Sequence, residues 1–174
     1  MSKVIIYIAA SLDGYIARKN DDISWLDAYQ KVGEDYGYAN FIKTIGTAIM
    51  GARTYAQSLK HPERMLKMKT YVLSHKQMPV QDGFDVTFYK GNLKKLVEKI
   101  KTENEKDIWI VGGGKVVSSF LNEGLVDEVL HFVVPVLIGN GIPLYSTSLK
   151  ETKFMLLESK KYKSGIVKLH YALK

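Results

Sequence analysis

Three consecutive glycines, Gly112, Gly113 and Gly114, follow a short apolar run and precede a segment with helical spacing. Glycine lets the backbone approach a ligand closely, and the free N–H groups at the start of a helix attract anions. Val111 ends the apolar run, and Lys115 adds a positive charge after the glycines. A tight turn also uses glycine, but one glycine would be enough for it. The pattern therefore predicts a phosphate-binding junction between a strand and a helix.

A second segment has the same form. Gly51 follows an apolar run, and Arg53 and Thr54 open the next predicted helix. A guanidinium and a hydroxyl group at a helix N-terminus can both bind phosphate oxygens. An arginine in a first helical turn is common, so this segment alone is a weak signal. Paired with the glycines, it predicts a second helix N-terminus for the same diphosphate.

The third segment is Ser74, His75 and Lys76, directly after another apolar run. In open α/β sheets, ligands bind beyond the carboxyl ends of the strands. These side chains could bind a further phosphate, such as the 2′-phosphate that distinguishes NADPH from NADH; a polar loop is the alternative. Because the anion-binding segments come without a candidate nucleophile, hydride transfer by a bound NADPH is the chemistry that fits best.

The elements that must position these segments alternate between strands and helices up to about residue 125, after which strands follow strands. Strands are predicted at residues 4–10, 47–50, 69–74, 86–89, 107–111, 127–136, 153–161 and 166–173, and helices at 34–45, 53–59, 93–100 and 116–121. Residues 11–33 are predicted to form a long loop. This order predicts an α/β fold: a mostly parallel mixed sheet of about eight strands, about four helices on its two faces, and an antiparallel C-terminal hairpin.

Composition limits the function classes. The chain of 174 residues is expected to form one domain over residues 1–174. It has no cysteine, which excludes disulfides and thiolate metal sites, and no histidine pair has metal-ligand spacing, so no metal is expected. No apolar run reaches the roughly 20 residues of a membrane helix, so we expect a cytoplasmic protein without a membrane partner. The net charge of +7 suits a phosphorylated ligand or nucleic acid, but only three of the 25 basic residues are arginines, so we expect a small-molecule substrate and no nucleic-acid partner.

The sequence resembles the dihydrofolate reductase superfamily over nearly its whole length, and within it the reductase domain of the riboflavin-biosynthesis deaminase-reductase. Four stretches carry the resemblance: residues 11–17 (SLDGYIA), 50–55 (MGARTY), 111–114 (VGGG) and 126–141, which begins VDEV and ends PVLIGNG. The resemblance implies a three-layer sandwich of the dihydrofolate reductase type. It also implies an NADPH-dependent reductase of a planar heterocyclic substrate.

The resemblance also implies roles for single residues. Ala10, Ile16 and Ala17 would line the nicotinamide side of the cofactor. The pyrophosphate and 2′-phosphate would be bound by the three segments already described, which contain Gly51, Arg53, Thr54, Ser74, His75, Lys76, Val111, Gly112, Gly113, Gly114 and Lys115. Trp25 would lie at the substrate pocket, and Asp35 is the weakly supported candidate for a carboxylate that assists protonation.

Departures from the family pattern leave the substrate open. Ala52, Met68 and Phe132 stand where folate-reducing members keep two arginines and a threonine. Two alternative hypotheses also stay open: a non-catalytic NADP-binding module and, on the net charge alone, a nucleic-acid-binding protein. A homodimer is expected, because members of the riboflavin branch dimerise and the apolar run at residues 132–138 could pack against a partner. An interior strand is the alternative explanation of that run.

Overall fold

The structure is a computed structural model and describes residues 2–30 and 33–174. The strands of this part are β1 Val4–Ser11, β2 Tyr15–Arg18, β3 Ile45–Gly51, β4 Lys69–Leu73, β5 Val86–Tyr89, β6 Asp107–Gly112, β7 Glu128–Val134, β8 Gly141–Pro143, β9 Phe154–Lys161 and β10 Val167–Leu173. The α-helices are α1 Asp27–Gln30, α2 Tyr38–Thr44, α3 Ala52–Lys60, α4 Leu93–Glu103 and α5 Gly114–Asn122, with 3-10 turns at Ser24–Leu26 and Pro62–Arg64. None of these helices has the length and apolarity needed to cross a membrane.

Eight of the strands form one mixed sheet in the order β5-β4-β3-β6-β1-β7-β10-β9. The first six of these are parallel neighbours, and β10 runs antiparallel to both β7 and β9. The central strands β1, β3 and β6 are buried on both faces, which explains why they are continuous apolar runs rather than alternating ones. The α/β class, the mostly parallel sheet and the antiparallel C-terminal hairpin are therefore confirmed.

Helices cover both faces of the sheet. On one face, which we call the α4/α5 face, Leu96 and Phe120 pack with Ile6 and Ile110 in the largest apolar cluster. On the other, the α2/α3 face, Phe41 of α2 packs with Trp109 of β6. The helix α4 begins after Asn92, whose side chain accepts a hydrogen bond from the Lys95 N–H, as the sequence predicts for an N-cap.

Three predicted elements differ from the structure. The predicted loop at residues 11–33 contains β2 and α1, and β2 pairs with β8, which the sequence did not reveal; residues 31 and 32 of that stretch lie outside the described part. The helix predicted at 34–45 begins only at Tyr38, because Tyr36 and Gly37 have left-handed backbone angles (φ 56° and 84°) that no α-helix accommodates. The strand predicted at 127–136 ends at Val134.

Each of the three consecutive glycines has its own structural reason. Gly112 (φ 138°) and Gly113 (φ 37°) adopt backbone angles that other residues rarely take. Gly114, the first residue of α5, is buried, and a Cβ atom there would lie 2.2 Å from the carbonyl oxygen of Pro143. The local backbone geometry therefore requires glycine at all three positions, whereas the sequence pattern indicated that a tight turn needs only one.

We expect Gly114→Ala to destabilise the fold. The added methyl group must push the start of α5 away from the backbone of Pro143, a strain that typically costs about 1–3 kcal/mol of the free energy of unfolding. Urea denaturation measures the loss. Lys115→Ala is the control, because the neighbouring lysine is exposed and its truncation should change the free energy by less than about 0.5 kcal/mol. Equal stability of Gly114→Ala and the parent protein would contradict the close contact.

Candidate active site

The N-termini of α3 and α5 lie side by side at the carboxyl ends of β3 and β6, which are neighbours in the sheet. Gly51 caps α3 and Gly113 caps α5, and neither cap makes a side-chain hydrogen bond to its helix in the described structure. A Cβ atom on Gly51 would lie 3.0 Å from Val116 of α5, and one on Gly113 would lie 3.5 Å from the Thr54 Oγ1 of α3. Two helix N-termini therefore point their free N–H groups at one region.

A cavity of about 420 Å³ opens in front of these helix ends on the α2/α3 face. Gly112 and Gly113 form one wall, so that backbone rather than side chains faces the cavity. Its lining residues are Tyr7, Ile8, Ala9, Ile16, Ala17, Asp21, Ile23, Leu26, Gln30, Arg53, Thr54, Gln57, Trp109, Val111, Gly112, Gly113 and Ile142. We call this the central cavity. It has the size of a small-molecule site, with apolar walls and polar groups at one end.

Two further cavities adjoin the central cavity. The aromatic cavity, of about 220 Å³, shares Tyr7, Ala9, Leu26 and Gln30 with it. The other residues lining the aromatic cavity are Tyr29, Asp35, Tyr36, Tyr38, Phe132 and Ile166. The polar cavity, of about 300 Å³, shares Asp21, Ile23 and Gln57 with the central cavity and is lined further by Asn20, Asp22, Ser24, Asp27, Lys60, His61 and Arg64. The three form a groove that is aromatic at one end and charged at the other.

Tyr7 separates the central cavity from the aromatic one. Its ring stacks on Phe41 at 4.4 Å between centroids and lies 4.6 Å from Phe132. Its hydroxyl donates a hydrogen bond of 3.3 Å to the Tyr36 carbonyl oxygen. Burial raises the pKa of Tyr7 well above its ordinary value, so the hydroxyl stays protonated in the physiological range. The carbonyl oxygen of Tyr7 accepts a hydrogen bond from the Trp109 indole (3.2 Å), which fixes the wall formed by the two rings.

Arg53 is already paired inside the protein. Its guanidinium forms an ion pair with the carboxylate of Asp21 and donates a hydrogen bond of 3.1 Å to the Lys19 carbonyl oxygen. Gln57, one turn further along α3, donates a hydrogen bond of 2.6 Å to the Asp21 carbonyl oxygen. The loop after β2 is thus attached to the first two turns of α3. An anion that binds the Nε of Arg53 competes with Asp21 for that nitrogen.

The structure brings together seven of the predicted cofactor residues: Ile16, Ala17, Arg53, Thr54, Val111, Gly112 and Gly113 all line the central cavity. Ala10 does not. Successive side chains of a strand point to opposite faces, and Ala10 is fully buried in the cluster on the α4/α5 face, so that Ala9 lines the cavity instead. The same alternation would have identified Tyr7 and Trp109, which the sequence argument missed, as cavity residues on β1 and β6.

The remaining predicted cofactor residues lie around the cavity rather than in it. Gly51 and Gly114 are the turn positions of the two helix starts, and Lys115 is exposed on α5. Ser74, His75 and Lys76 follow β4, the neighbour of β3, at the same edge of the sheet. The Ser74 hydroxyl donates to the Lys76 carbonyl oxygen (2.6 Å), which closes a tight turn, and the side chains of His75 and Lys76 are exposed.

Trp25, which the resemblance placed at the substrate pocket, does not line a cavity itself but packs against Phe132 and Ile166, which line the aromatic cavity. Its side chain is buried with Phe132, Val134 and Tyr162, and only 6% of its surface is exposed. Its indole nitrogen is buried and has no hydrogen-bond partner among the described residues. The 3-10 turn that contains Trp25 points this residue into the core, while Ile23 and Leu26 of the same stretch line the central cavity.

Asp35 lines the aromatic cavity, but its carboxylate binds the backbone. Oδ1 accepts a hydrogen bond from the Gly37 N–H (2.9 Å) and Oδ2 accepts one from the Ala39 N–H (3.2 Å). These hydrogen bonds, with the one to Gly37 contributing most, hold the pKa of Asp35 below its ordinary value. The carboxylate is therefore ionised near neutral pH, and it caps the turn that precedes α2.

No group of three or more His, Asp or Glu side chains in residues 2–30 and 33–174 is arranged to hold a metal ion. The polar groups of the groove are of other kinds. Backbone N–H groups, a guanidinium and a hydroxyl lie at one point of the central cavity, and aromatic rings lie at another.

Comparisons with known proteins agree with this architecture. The chain is 37% identical over 171 residues to the uncharacterised protein YwjB of Bacillus subtilis (strain 168), covering 97% of each chain. The structure of a candidate riboflavin biosynthesis protein from Shewanella sp. PV-4 matches with a TM-score of 0.89 and 27% identity, covering 99% of each chain. The structure of a diaminohydroxyphosphoribosylaminopyrimidine deaminase/5-amino-6-(5-phosphoribosylamino)uracil reductase from Thermotoga maritima shares the fold, with a TM-score of 0.72 and 16% identity over 99% of this chain and 57% of that one.

The expected fold and family are therefore confirmed. The family model described as the RibD C-terminal domain matches residues 2–168, and the chain belongs to the RibD C-terminal domain family.

Proposed function

We propose that this protein is an NADPH-dependent reductase of a planar heterocyclic compound. The observation that carries the proposal is the convergence of two helix N-termini, those of α3 and α5, on a cavity walled by the backbone of Gly112 and Gly113. Such an arrangement suits a diphosphate, because several N–H groups and two helix dipoles act on it together. A bound NADPH would supply the hydride.

The residues of the groove fit an extended dinucleotide. Thr54 and the backbone at Gly113 would bind the pyrophosphate, with Arg53 released from Asp21 to pair with it. Ala9, Ile16 and Ala17 would pack against the nicotinamide, since they provide a small apolar surface at the end of β1. Ser74, His75 and Lys76, at the same edge of the sheet, would accept the 2′-phosphate, where lysine provides the charge that favours NADPH over NADH.

The aromatic cavity would hold the substrate ring. Tyr7, Tyr36 and Phe132 provide faces on which a flat ring can stack, and the cavity adjoins the central cavity, where the nicotinamide would lie. The reductase activity named for the Thermotoga relative supports a ribosylaminouracil-type substrate. Pterin-type rings have the same shape and remain in the substrate class that we propose.

A second candidate function is a non-catalytic NADP-binding module. The observation that favours it is the engagement of Asp35 with backbone N–H groups, which leaves the one carboxylate of the aromatic cavity unsuited to give up a proton. Both candidates bind the cofactor, and turnover distinguishes them.

The first prediction concerns cofactor binding. We expect NADPH to bind the purified protein, with a change in its fluorescence, and Arg53→Ala to raise the dissociation constant tenfold or more. A charge-assisted hydrogen bond contributes roughly 1.5–3 kcal/mol, and each 1.4 kcal/mol is about tenfold in affinity. Lys94→Ala is the matched control, because it removes a positive charge from the first turn of another helix, α4. Unchanged NADPH fluorescence at high protein concentration would exclude the proposal.

The second prediction concerns turnover. With NADPH present, we expect its absorbance to fall when a ribosylaminouracil phosphate or a dihydropterin is added. We expect Tyr38→Ala to raise the KM for that substrate more than it lowers kcat, because this ring lines the aromatic cavity and is 38% exposed, so that it can stack on the substrate without being part of the core. Dihydrofolate completes the panel. Tight NADPH binding without oxidation by any of these compounds would favour the non-catalytic module instead.

The third prediction concerns Asp35. Because its pKa is lower in the folded protein than the ordinary value of 3.8, its carboxylate stabilises the fold above that pH, and the contribution is lost as the pH falls further. We expect Asp35→Ala to lower the free energy of unfolding at neutral pH. Well below pH 3.8, where the carboxylate of the parent protein is also protonated, the two proteins should have similar free energies of unfolding. The substitution should leave kcat unchanged. Asp82→Ala, in an exposed loop, is the control for loss of a surface charge. A large fall in kcat with unchanged stability would show that Asp35 is the proton donor after all.

A further inference from the structure

Reduction of a C=N bond needs a proton as well as a hydride, and the carboxylate of the aromatic cavity is not suited to give one. Asp35 is ionised, and its carboxylate accepts hydrogen bonds from two backbone N–H groups. A proton donor works within hydrogen-bond reach of the reacting atoms. In the function that we propose, those atoms lie where the central cavity adjoins the aromatic cavity. The residues that line both cavities are therefore the candidates for this role.

Four of the described residues line both cavities: Tyr7, Ala9, Leu26 and Gln30. Ala9 and Leu26 have no polar side-chain atom. The carboxamide of Gln30 can donate a hydrogen bond, but it is not an acid in water. The phenolic hydroxyl of Tyr7 can both donate a hydrogen bond and transfer its hydrogen as a proton. Tyr7 is thus the one residue of the four that could supply the proton.

The other hydroxyl groups of the aromatic cavity are bound elsewhere or lie farther from the cofactor position. The Tyr36 hydroxyl donates a hydrogen bond of 2.7 Å to the Tyr29 carbonyl oxygen, and the Tyr29 hydroxyl donates one of 3.3 Å to the Pro135 carbonyl oxygen. Tyr38 lines the aromatic cavity but not the central cavity. These contacts leave Tyr7 as the hydroxyl group beside the proposed nicotinamide position.

The hydroxyl of Tyr7 has a weak partner that it can exchange for a ligand. Its hydrogen bond to the Tyr36 carbonyl oxygen is 3.3 Å long, whereas hydroxyl-to-oxygen hydrogen bonds are usually about 2.7–2.8 Å. The same carbonyl oxygen accepts a hydrogen bond of 3.1 Å from the Tyr162 hydroxyl. When Tyr7 turns its hydrogen towards a ligand, the carbonyl oxygen keeps one partner and is not left unsatisfied.

The ring of Tyr7 is held in place, so the position of its oxygen is fixed. The ring stacks on Phe41 and lies against Phe132, and the edge of Trp109 meets it at 6.3 Å between centroids. The backbone of Tyr7 is fixed as well, because its carbonyl oxygen accepts the hydrogen bond of the Trp109 indole. Only the hydrogen remains free to rotate about the C–O bond. A donor that is oriented before the substrate binds needs little reorganisation during the reaction.

On the reductase function proposed above, we infer that Tyr7 is a catalytic residue that gives its hydroxyl proton to the nitrogen of the bond being reduced. A hydride added to the carbon of a C=N bond moves the electron pair of that bond to the nitrogen. The nitrogen takes the proton of the Tyr7 hydroxyl, so that C=N becomes CH–NH while NADPH becomes NADP+. Water then returns a proton to the phenolate of Tyr7.

The acidity of the Tyr7 hydroxyl suits this role. Burial raises its pKa, so the hydroxyl carries its proton throughout the neutral range and is ready to donate. The nitrogen that has just gained an electron pair is a much stronger base than a phenolate, so the proton transfer is favourable. We therefore expect the ionisation of Tyr7 to leave kcat independent of pH between about pH 6 and pH 9.

The test compares the two hydroxyl groups that bind the same carbonyl oxygen. Tyr7→Phe keeps the ring and removes the hydroxyl in the cavities, whereas Tyr162→Phe removes the other one, and Tyr162 lines none of the three cavities of the groove. With a ribosylaminouracil phosphate or a dihydropterin as substrate, Tyr7→Phe should lower kcat roughly a hundredfold or more, the usual contribution of a general acid, and Tyr162→Phe by less than about threefold. The dissociation constant for NADPH should change little in either variant.

The pH profile and the thermal midpoint separate proton donation from a structural role. The residual kcat of Tyr7→Phe should rise as the pH falls, because the solvent then supplies the proton. Equal losses of kcat and of thermal midpoint in both variants, without a changed pH profile, would mean that the Tyr7 hydroxyl only holds the Tyr36 backbone. A kcat of Tyr7→Phe close to that of the parent protein overturns the inference and leaves the reductase function standing. A parent protein that binds NADPH but oxidises it with no compound of the panel overturns both.

Discussion

The close approach of Gly114 to the backbone at Pro143 holds the candidate site together. The contact places the start of α5 against the end of β8, and β8 in turn pairs with β2. These two short strands carry Ile16, Ala17 and Ile142, which line the central cavity opposite the glycine wall. A side chain at position 114 would therefore displace both walls of the cavity at once.

The eight-stranded sheet explains why the three segments predicted to bind anions meet. β3, β4 and β6 lie side by side and in parallel, so that their carboxyl ends bring three segments that are far apart in sequence to one edge. The helices that follow β3 and β6 begin without side-chain caps in the described structure, and their N–H groups remain available.

Much of this could be predicted from the sequence, because the strands and the helix starts have strong local signals. The buried apolar runs predicted β1, β4 and β6, and the glycine positions predicted the starts of α3 and α5. The errors have physical causes. Side chains alternate between the two faces along a strand. This alternation turns Ala10 away from the central cavity and places Ala9, Tyr7 and Trp109 in it. The left-handed residues Tyr36 and Gly37 shortened α2, and β8 is too short and too irregular to be recognised without its partner β2. Trp25 could not be placed, since its direction depends on tertiary packing in the 3-10 turn.

The pairing of Arg53 with Asp21 has a consequence for how the groove meets an anion. The chain provides its own counter-ion to the guanidinium, so a phosphate that bound the Nε of Arg53, as we propose, would exchange with a carboxylate rather than displace dissolved salt. At this arginine, the sensitivity of binding to ionic strength is then smaller than the net charge of +7 would suggest. Asp21 belongs to the loop after β2, whose carbonyl oxygens at Lys19 and Asp21 also accept hydrogen bonds from α3. In the function that we propose, phosphate binding at Arg53 would therefore be coupled to the position of a loop that borders both the central and the polar cavities.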